Sequence, residues 1–282
     1  MNINWFPGHM KKAGDMIKND LRLVDVVIEI IDARIPESAM NPWLRNIIRD
    51  KKRIIVLNKS DLADAEQTEL WIKKLECEGY VAVPMNAETG EGIKILKQKL
   101  QRINDEINTE KKRNKKIRVM IVGIPNVGKS SLINRLSKKK STATGNIPGV
   151  TKGKQWITLS DGIMLLDTPG ILWPKIEKPE TGRNLAICGS IKNEVLDDEL
   201  LSKELLLILK EGYGDLLLAR YKLDELPSDA DELFELIGKK RGLLQSGGRV
   251  DVQRTSRVIL SDMREAKLGR ITLEKAIDCD KS

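Results

Sequence analysis

Two short motifs in an unexpected order constrain this chain more than anything else in it. LNKSD (57–61) comes first, and GIPNVGKS (123–130) follows about sixty residues later. The second fits G-x-x-x-x-G-K-[ST], directly after the apolar run IRVMIVG (117–123) and before the helical pattern SSLINRLSKK. A strand, a glycine-rich turn and a helix start make a phosphate cradle. Gly128 lets backbone N–H groups approach the phosphates, and the helix start at Ser130 adds its positive dipole end. Lys129 neutralises β- and γ-phosphate oxygens, and Ser130 offers its hydroxyl to Mg²⁺. Val127 and Ser131 complete the predicted cradle.

Downstream, LLDTPG (165–170) ends a strand with Asp167 poised for the Mg²⁺ shell, directly or through water. The Gly170 N–H can meet a γ-phosphate. Between these motifs NIPGVTKG supplies Thr151, a second candidate hydroxyl ligand for Mg²⁺. Such parts hold a triphosphate but do not choose its base. LNKSD does, because the Asp61 carboxylate can accept both the ring N–H and the exocyclic amine of guanine, a pairing that adenine cannot make. A site built around that buried carboxylate rejects adenine strongly, because the acid is left unpaired. Asn58 can bridge to the phosphate loop, the Lys59 stem can cover the base, and Ser60 lies between them and Asp61. MNAETGEG (85–92) resembles an accessory guanine loop, usually Ser-Ala-Lys; here it reads Asn86-Ala87-Glu88, with the Ala87 N–H able to reach the guanine oxygen. The expected ligands are GTP and GDP.

Ordinary GTPases carry the phosphate loop first and the base reader near the end. The reversed order does no harm, since ligands bind at the carboxyl ends of parallel strands wherever those strands fall in the chain. A domain with neighbouring termini can be joined there and opened elsewhere, and the charged stretch NTEKKRNKK (108–116) is placed to be the join. The chain therefore reads as circularly permuted. Its segment after DTPG then leads straight into whatever follows, so nucleotide state can be transmitted to residues 176–282.

Strand patterns at 24–31, 53–57, 80–85, 117–123, 154–159 and 163–167 alternate with helical ones at 64–78 and 90–107. Beyond 175 only helical patterns remain, at 194–211, 214–223, 229–244 and 250–267. The expected fold class is α/β. It comprises a circularly permuted P-loop GTPase domain over 1–175, a mostly parallel sheet with helices on both faces, and a smaller all-helical domain over 176–282.

Apolar runs such as VDVVIEIIDA and ELLLILK are too short and too charged to span a membrane. Cys77, Cys188 and Cys279 lack metal-ligand spacing, which favours reduced thiols and a cytoplasmic location. The net charge of +8 divides into +11 over 1–175 and −3 over 176–282, with a basic stretch again at 239–270. That distribution suits a polyanionic partner, most simply nucleic acid. On a helix through 252–267, Val252, Ile259, Met263 and Ala266 cluster on one side, with Arg254, Arg257 and Arg264 roughly opposite as a candidate phosphate-contacting face. The alternative is a solvated helix face. Nothing in the sequence demands an obligatory oligomer.

In many GTPases a glutamine after DTPG orients the attacking water; here that residue is Ile171. His9, the only histidine, follows Pro7-Gly8 at a predicted helix start, where the dipole disfavours the imidazolium and leaves a neutral donor and acceptor. It is one candidate for the water, Gln155 is another, and a capping or surface role for His9 stays open. Asn126, in the turn of the phosphate loop, can help K⁺ sit near the phosphates, or be an ordinary turn residue.

WFPGHMKKA (5–13), DARIPES (32–38), NKSD, GIPNVGKS, PGVT and DTPGILWP (167–174) together resemble the YlqF/RbgA family of circularly permuted ribosome-biogenesis GTPases, nearly over the whole chain. The resemblance implies GTP hydrolysis stimulated by the large ribosomal subunit, a role in late maturation of its precursor, and contact with its rRNA. It also implies a catalytic part for His9 beside Lys129 and Thr151, K⁺ dependence through Asn126, and a small helical RNA-binding module at the C-terminus. Asn86-Ala87-Glu88 departs from the usual accessory loop. Two other functions remain open: a P-loop kinase or ATPase, which Asp61 opposes, and an RNA-binding GTP sensor with little turnover, which Ile171 allows.

Overall fold

A computed structural model of the chain describes residues 7–48, 51–112, 115–137, 142–144, 156–159, 163–166, 176, 178–191 and 197–276, the backbone alone for 7–13 and 142–144. Among them a seven-stranded sheet runs in the order β3-β2-β1-β4-β7-β6-β5. The strands are β1 (Val26–Asp32), β2 (Lys52–Asn58), β3 (Val81–Met85), β4 (Ile117–Gly123), β5 (Thr142–Thr144), β6 (Trp156–Thr158) and β7 (Ile163–Leu166). The five strands from β3 to β7 are parallel, while β6 and β5 add antiparallel pairs at one edge. All seven residues of β1 are buried, as an apolar strand between two helical layers must be.

Register aligns the motifs. Asp32 pairs with Asn58 and Asn58 with Met85, while Ile30 pairs with Gly123. The carboxyl ends of four strands thus lie at one edge, where LNKSD, MNAETG and GIPNVGKS begin. Close packing holds them there. A Cβ on Gly123 would lie 2.4 Å from the Ile30 carbonyl, so only glycine lets β4 leave the sheet beside β1.

Helices α1 (Pro7–Leu21), α2 (Pro36–Ala39), α3 (Pro42–Ile47), α4 (Ala65–Cys77), α5 (Ile93–Glu110) and α6 (Lys129–Ser137) cover the sheet. On one face Ile17 and Leu21 of α1 and Leu44 of α3 pack with Met120, Val122 and Leu166. On the other, Trp71 and Leu75 of α4, Leu96 and Leu100 of α5 and Leu132 of α6 meet Ile28, Ile54 and Val119. A further cluster joins α8 (Asp198–Tyr221), α9 (Ala230–Lys240) and α10 (Val252–Arg264) through Leu205, Leu209, Phe234, Ile237, Ile259 and Met263.

Several elements depart from expectation. The stripe Leu96, Leu100, Ile103, Ile107 carries α5 through to Glu110, so the expected join at 108–116 begins inside a helix. Helix α7 (Pro179–Ile187) had no clear signal in its nine residues. The two patterns at 194–211 and 214–223 form one element kinked at Tyr213 (φ −145°, ψ 36°), between Gly212 and Gly214. Helix α10 stops at Arg264, short of 267, and Val252 is exposed rather than part of its apolar side.

The division expected at 175 is crossed twice. Helix α7 gives Leu185 to the sheet core and Ile187 to the helical one. After α10 the chain returns to the sheet: Ile271 N–H donates to the Leu62 carbonyl (3.1 Å) and Leu273 N–H to that of Arg34 (2.8 Å). The Trp71 indole N–H donates to the Glu274 carbonyl (2.8 Å). The Glu274 carboxylate accepts from the N–H of Glu37 (2.7 Å), from the N–H and hydroxyl of Ser38, and from Asn184 Nδ2 (2.9 Å). This strap braces the base of the LNKSD loop. Glu274→Ala should cost about 1–3 kcal/mol for each buried donor left unpaired, seen as a lower urea midpoint; an unchanged midpoint would mean that the strap carries no stability.

Candidate functional site

The strand ends open onto a cleft of about 520 Å³. It is lined by Asn58, Lys59, Asp61 and Leu62 of the LNKSD region and by Asn126, Gly128, Lys129, Ser130 and Ser131 of the phosphate loop. Asn86, Ala87 and Glu88 of the accessory loop and Arg264 complete the lining. Residues 60 positions and more apart therefore share one cavity, Asp61 and Lys129 among them.

The Asn58 side chain ties three loops together. Its Nδ2 donates to the Val127 carbonyl (2.7 Å), and its Oδ1 accepts the Ala87 N–H (2.9 Å). Gly128 makes room: with φ +102°, any Cβ there would lie 2.3 Å from Asn58 Nδ2. Val127 is fully buried and contributes its carbonyl rather than its side chain. Asn86 is buried and its Oδ1 accepts from the N–H groups of Glu88 (2.9 Å) and Thr89 (3.1 Å), an Asx-type turn that shapes the accessory loop. That explains how Asn can stand where serine is usual. The Ala87 N–H, expected at the guanine oxygen, is donated to Asn58 instead. Asp61 is exposed in the cleft rather than buried. The adenine rejection expected of a buried carboxylate would therefore require a base to cover it.

The Lys129 ammonium donates to the carbonyls of Ile124 (2.7 Å) and Gly123 (3.2 Å) at the first turn of α6. Ser60 does not line the cleft; its N–H donates to Met85 and its carbonyl accepts from Arg270 Nη2 (2.8 Å) of the strap. Thr151, Gln155, Asp167, Gly170 and Ile171 lie outside the described residues, as does the side chain of His9. The backbone of His9 is in the first turn of α1.

Beneath the cleft sits a charged network that the sequence only hinted at. Asp32, at the end of β1, accepts from Arg34 Nε (2.9 Å) and Nη2 (2.8 Å) and pairs with Lys59 Nζ (3.1 Å). Both Asp32 and Arg34 are buried. Burial opposes the Asp32 charge, but Arg34 and Lys59 outweigh it and hold the carboxyl well below the usual range. Lys59, whose φ is +59°, is held at its amine by Asp32, and its carbonyl accepts from the Leu62 N–H (3.0 Å). Arg34 Nη1 continues to the Arg264 carbonyl (3.2 Å) at the end of α10. Two opposite charges at i and i+2, where a buried strand ends, were the available signal in DARIPES. Beside them, burial pushes the Cys188 thiol up to about 12, so it is an inert packing group.

Arg254 and Arg257 are exposed on α10, but Arg264 is not on that face. Its Nε and Nη2 donate to the carbonyls of Ile187 (2.8 Å) and Ala186 (2.9 Å) at the end of α7, and it borders the cleft. Where α10 stops, the chain turns, and its last side chain faces α7 instead of solvent. Among the described residues no group of His, Cys, Asp and Glu could hold a metal ion. Ser130 at the start of α6 is the one expected Mg²⁺ ligand whose position is described, and it lines the cleft beside Lys129.

A parallel sheet whose strand ends bring a phosphate loop and an NKxD loop onto one cleft defines a P-loop GTPase domain, here in permuted order. A family profile described as "50S ribosome-binding GTPase" matches residues 118–221, beginning inside β4, after the strands that the permutation moved to the front. Ribosome biogenesis GTPase A of Bacillus cereus is 44% identical over 97% of this chain and 94% of its own. The corresponding protein of Thermotoga maritima is 34% identical over 98% of this chain and 95% of its own. A GDP-bound structure of TM YlqF superposes with a TM-score of 0.72 at 31% identity, covering 92% of this chain and 98% of that one. The chain belongs to the ribosome biogenesis GTPase A (YlqF/RbgA) family and is a GTP hydrolase.

Asp32→Asn leaves the buried Arg34 charge uncompensated and should cost about 3–5 kcal/mol of folding stability at neutral pH. Because the folded carboxyl titrates below its unfolded value of about 3.9, its contribution is present above that pH and lost as pH falls through the folded value. Urea unfolding should therefore show the wild-type advantage at pH 7 shrinking toward pH 3. An advantage that does not depend on pH would remove the ion pair from the account.

Proposed function

We propose that this GTPase binds the precursor of the large ribosomal subunit and couples GTP hydrolysis to its late assembly in the cytoplasm. The observation that carries the reading is the shared cleft of Asp61 and Lys129, which fits guanine at one end and phosphates at the other. In this account Asp61 takes the ring N–H and amine of guanine, and the Lys59 stem, held by Asp32, covers the base. Lys129 and the backbone of 126–131 take the phosphates. Residues 1–175 hold the nucleotide, and 176–282 present the RNA-contacting surface.

Mg²⁺ would be held by Ser130 with Thr151 and Asp167, and it supplies neutralisation of the β- and γ-phosphate charge. Gly170 gives its N–H to the γ-phosphate, and Ile171 leaves the attacking water to His9, with Gln155 as the competing group. Asn126, whose Nδ2 is held by the Gly189 carbonyl (2.9 Å), keeps its Oδ1 for K⁺. Arg254 and Arg257 remain the rRNA face on α10, read through shape and backbone rather than sequence. No helix among the described residues is long and apolar enough to cross a membrane.

GTP turnover measured alone and with large subunits, in K⁺ and in Na⁺, tests this directly. Stimulation by subunits that is greater in K⁺ is expected; its absence would leave a GTP sensor. His9→Ala should keep GTP affinity near wild type and lower stimulated turnover by about a hundredfold or more, the usual scale of lost general acid–base or water positioning. Equal loss of binding and turnover would make His9 structural. Asp61→Asn should lose GDP by about a hundredfold, since two hydrogen bonds to a charged acceptor disappear, and should gain xanthosine diphosphate, whose 2-oxo group matches the new amide donor. Retained guanine preference would remove Asp61 as the base reader.

A further inference from the structure

The base reader changes hands at Asp61. Up to that residue the loop is held by the sheet: Asp32 takes the Lys59 amine, and the Ser60 N–H donates to the Met85 carbonyl (3.1 Å). From the Ser60 carbonyl onward it is held by the strap. Arg270 Nη2 donates to the Ser60 carbonyl (2.8 Å) and Nε to that of Ala63 (2.7 Å). Between them the Leu62 carbonyl accepts the Ile271 N–H (3.1 Å), and the Asp64 N–H that follows goes to Thr272 Oγ1 (3.1 Å).

One guanidinium thus brackets the residue that reads guanine. Asp61 is exposed in the cleft, so its aim comes from the backbone that carries it rather than from packing. The Ser60 carbonyl belongs to the peptide plane that ends on the Asp61 nitrogen. Holding that oxygen fixes the plane from which the carboxylate projects. Arginine suits the task, because two donors at a fixed separation can grip two carbonyls at once, where an ammonium is a single point.

Arg270 is itself held by the helical region. Leu268 and Ile271, on either side of it, are buried in the cluster of α8, α9 and α10. Gly269, φ +119°, passes so close to α8 that a Cβ would lie 3.0 Å from Leu216. The Thr272 N–H donates to the hydroxyl of Tyr213 (3.1 Å), the residue at which α8 is kinked.

We propose that Arg270 is a positioning residue for guanine selection: through the Ser60 and Ala63 carbonyls it aims the Asp61 carboxylate so that both the ring N–H and the exocyclic amine are met. This rests on the guanine reading of the cleft given above and deepens it. The coupling runs both ways, so a base that fixes Asp61 also steadies the strap. The helical region then senses the base end of the nucleotide, by a route separate from the segment after DTPG.

Competition of GDP and inosine diphosphate, which lacks the exocyclic amine, against fluorescent GDP tests the assignment in the full chain with Arg270→Gln and Arg270→Lys. The wild-type chain should prefer GDP by about tenfold to a hundredfold, the worth of one hydrogen bond to a charged acceptor. Arg270→Gln should bring the two nucleotides within about threefold, since a misdirected carboxylate meets the amine poorly. Arg270→Lys should recover part of the preference, because an ammonium still holds one carbonyl. A folded Arg270→Gln chain that keeps the full preference overturns the proposal, even where both nucleotides bind more weakly, and leaves Arg270 a staple of the strap. Either substitution can loosen the strap, so amide hydrogen exchange in the unaltered chain supplies a second measurement. Saturating guanosine should slow exchange at Ile271 and Thr272, and pyrophosphate should not; no slowing by guanosine, or equal slowing by pyrophosphate, overturns the coupling to the base. Failure of the guanine reading looks different: the wild-type chain itself would then show no preference for GDP, whereas a wild-type preference that survives Arg270→Gln removes this assignment alone.

Discussion

One amide group holds the nucleotide cleft together. Asn58 at the end of β2 donates to the phosphate loop at Val127 and accepts from the accessory loop at Ala87, so three loops from different strands share one small planar side chain. An amide suits this position because it offers a donor and an acceptor at a fixed separation, both buried, where a carboxylate would face the Val127 carbonyl with no proton to give. Gly128 is the complement of that choice. Its missing Cβ lets the amide reach the loop, and its positive φ lets the loop turn onto α6. The cradle, the base reader and the strand register depend on each other through this contact.

Around it lies a second, charged layer that explains DARIPES. Asp32 sits at the end of β1, level with Asn58 in the register, and gathers Arg34 and Lys59. The buried pair contributes little net stability compared with an apolar replacement, but its geometry is specific: it fixes the lysine of the base reader and lends Arg34 to the end of α10. The strap beyond α10 repeats the arrangement from outside, with Arg270 on the carbonyls of Ser60 and Ala63 and Ile271 on Leu62. The LNKSD loop is thus held from below by Asp32 and from behind by the C-terminal segment. A helical region fastened to the base reader, and through Gly189 to the phosphate loop, is mechanically part of the nucleotide site. This is the physical meaning of the permutation: opening the chain elsewhere left the cleft intact and brought new neighbours to its rim.

Most of the sheet was legible because apolar strands of five to seven residues, bounded by glycine or polar turns, have few other uses. IRVMIVG before GIPNVGKS left no choice of element, and VVIEIID could only be a strand buried on both faces. The short elements were not legible. The three residues of β5 and the nine of α7 carry too little periodicity to stand out, and their conformation comes from the partners they pack against. The end of α5 was misjudged for a different reason: the polar stretch after 107 hides a stripe that ends on buried Ile107 and carries the helix another turn.

The sequence alone determined that glycine, lysine, asparagine and aspartate stand at the spacings of a phosphate loop and an NKxD loop, motifs that act through local backbone geometry. It also determined that their order is permuted, which is a property of the linear chain. Only the tertiary structure decided what the loops meet. Asp61 lies open to the cleft, the Ala87 N–H turns to Asn58, and Arg264 leaves its expected helix face for the cavity rim. Glu274 closes on Ser38 and Asn184 from opposite parts of the chain. Contacts between residues 34 and 264, or 126 and 189, leave no periodic trace in a sequence, since each depends on where two independently formed elements are packed.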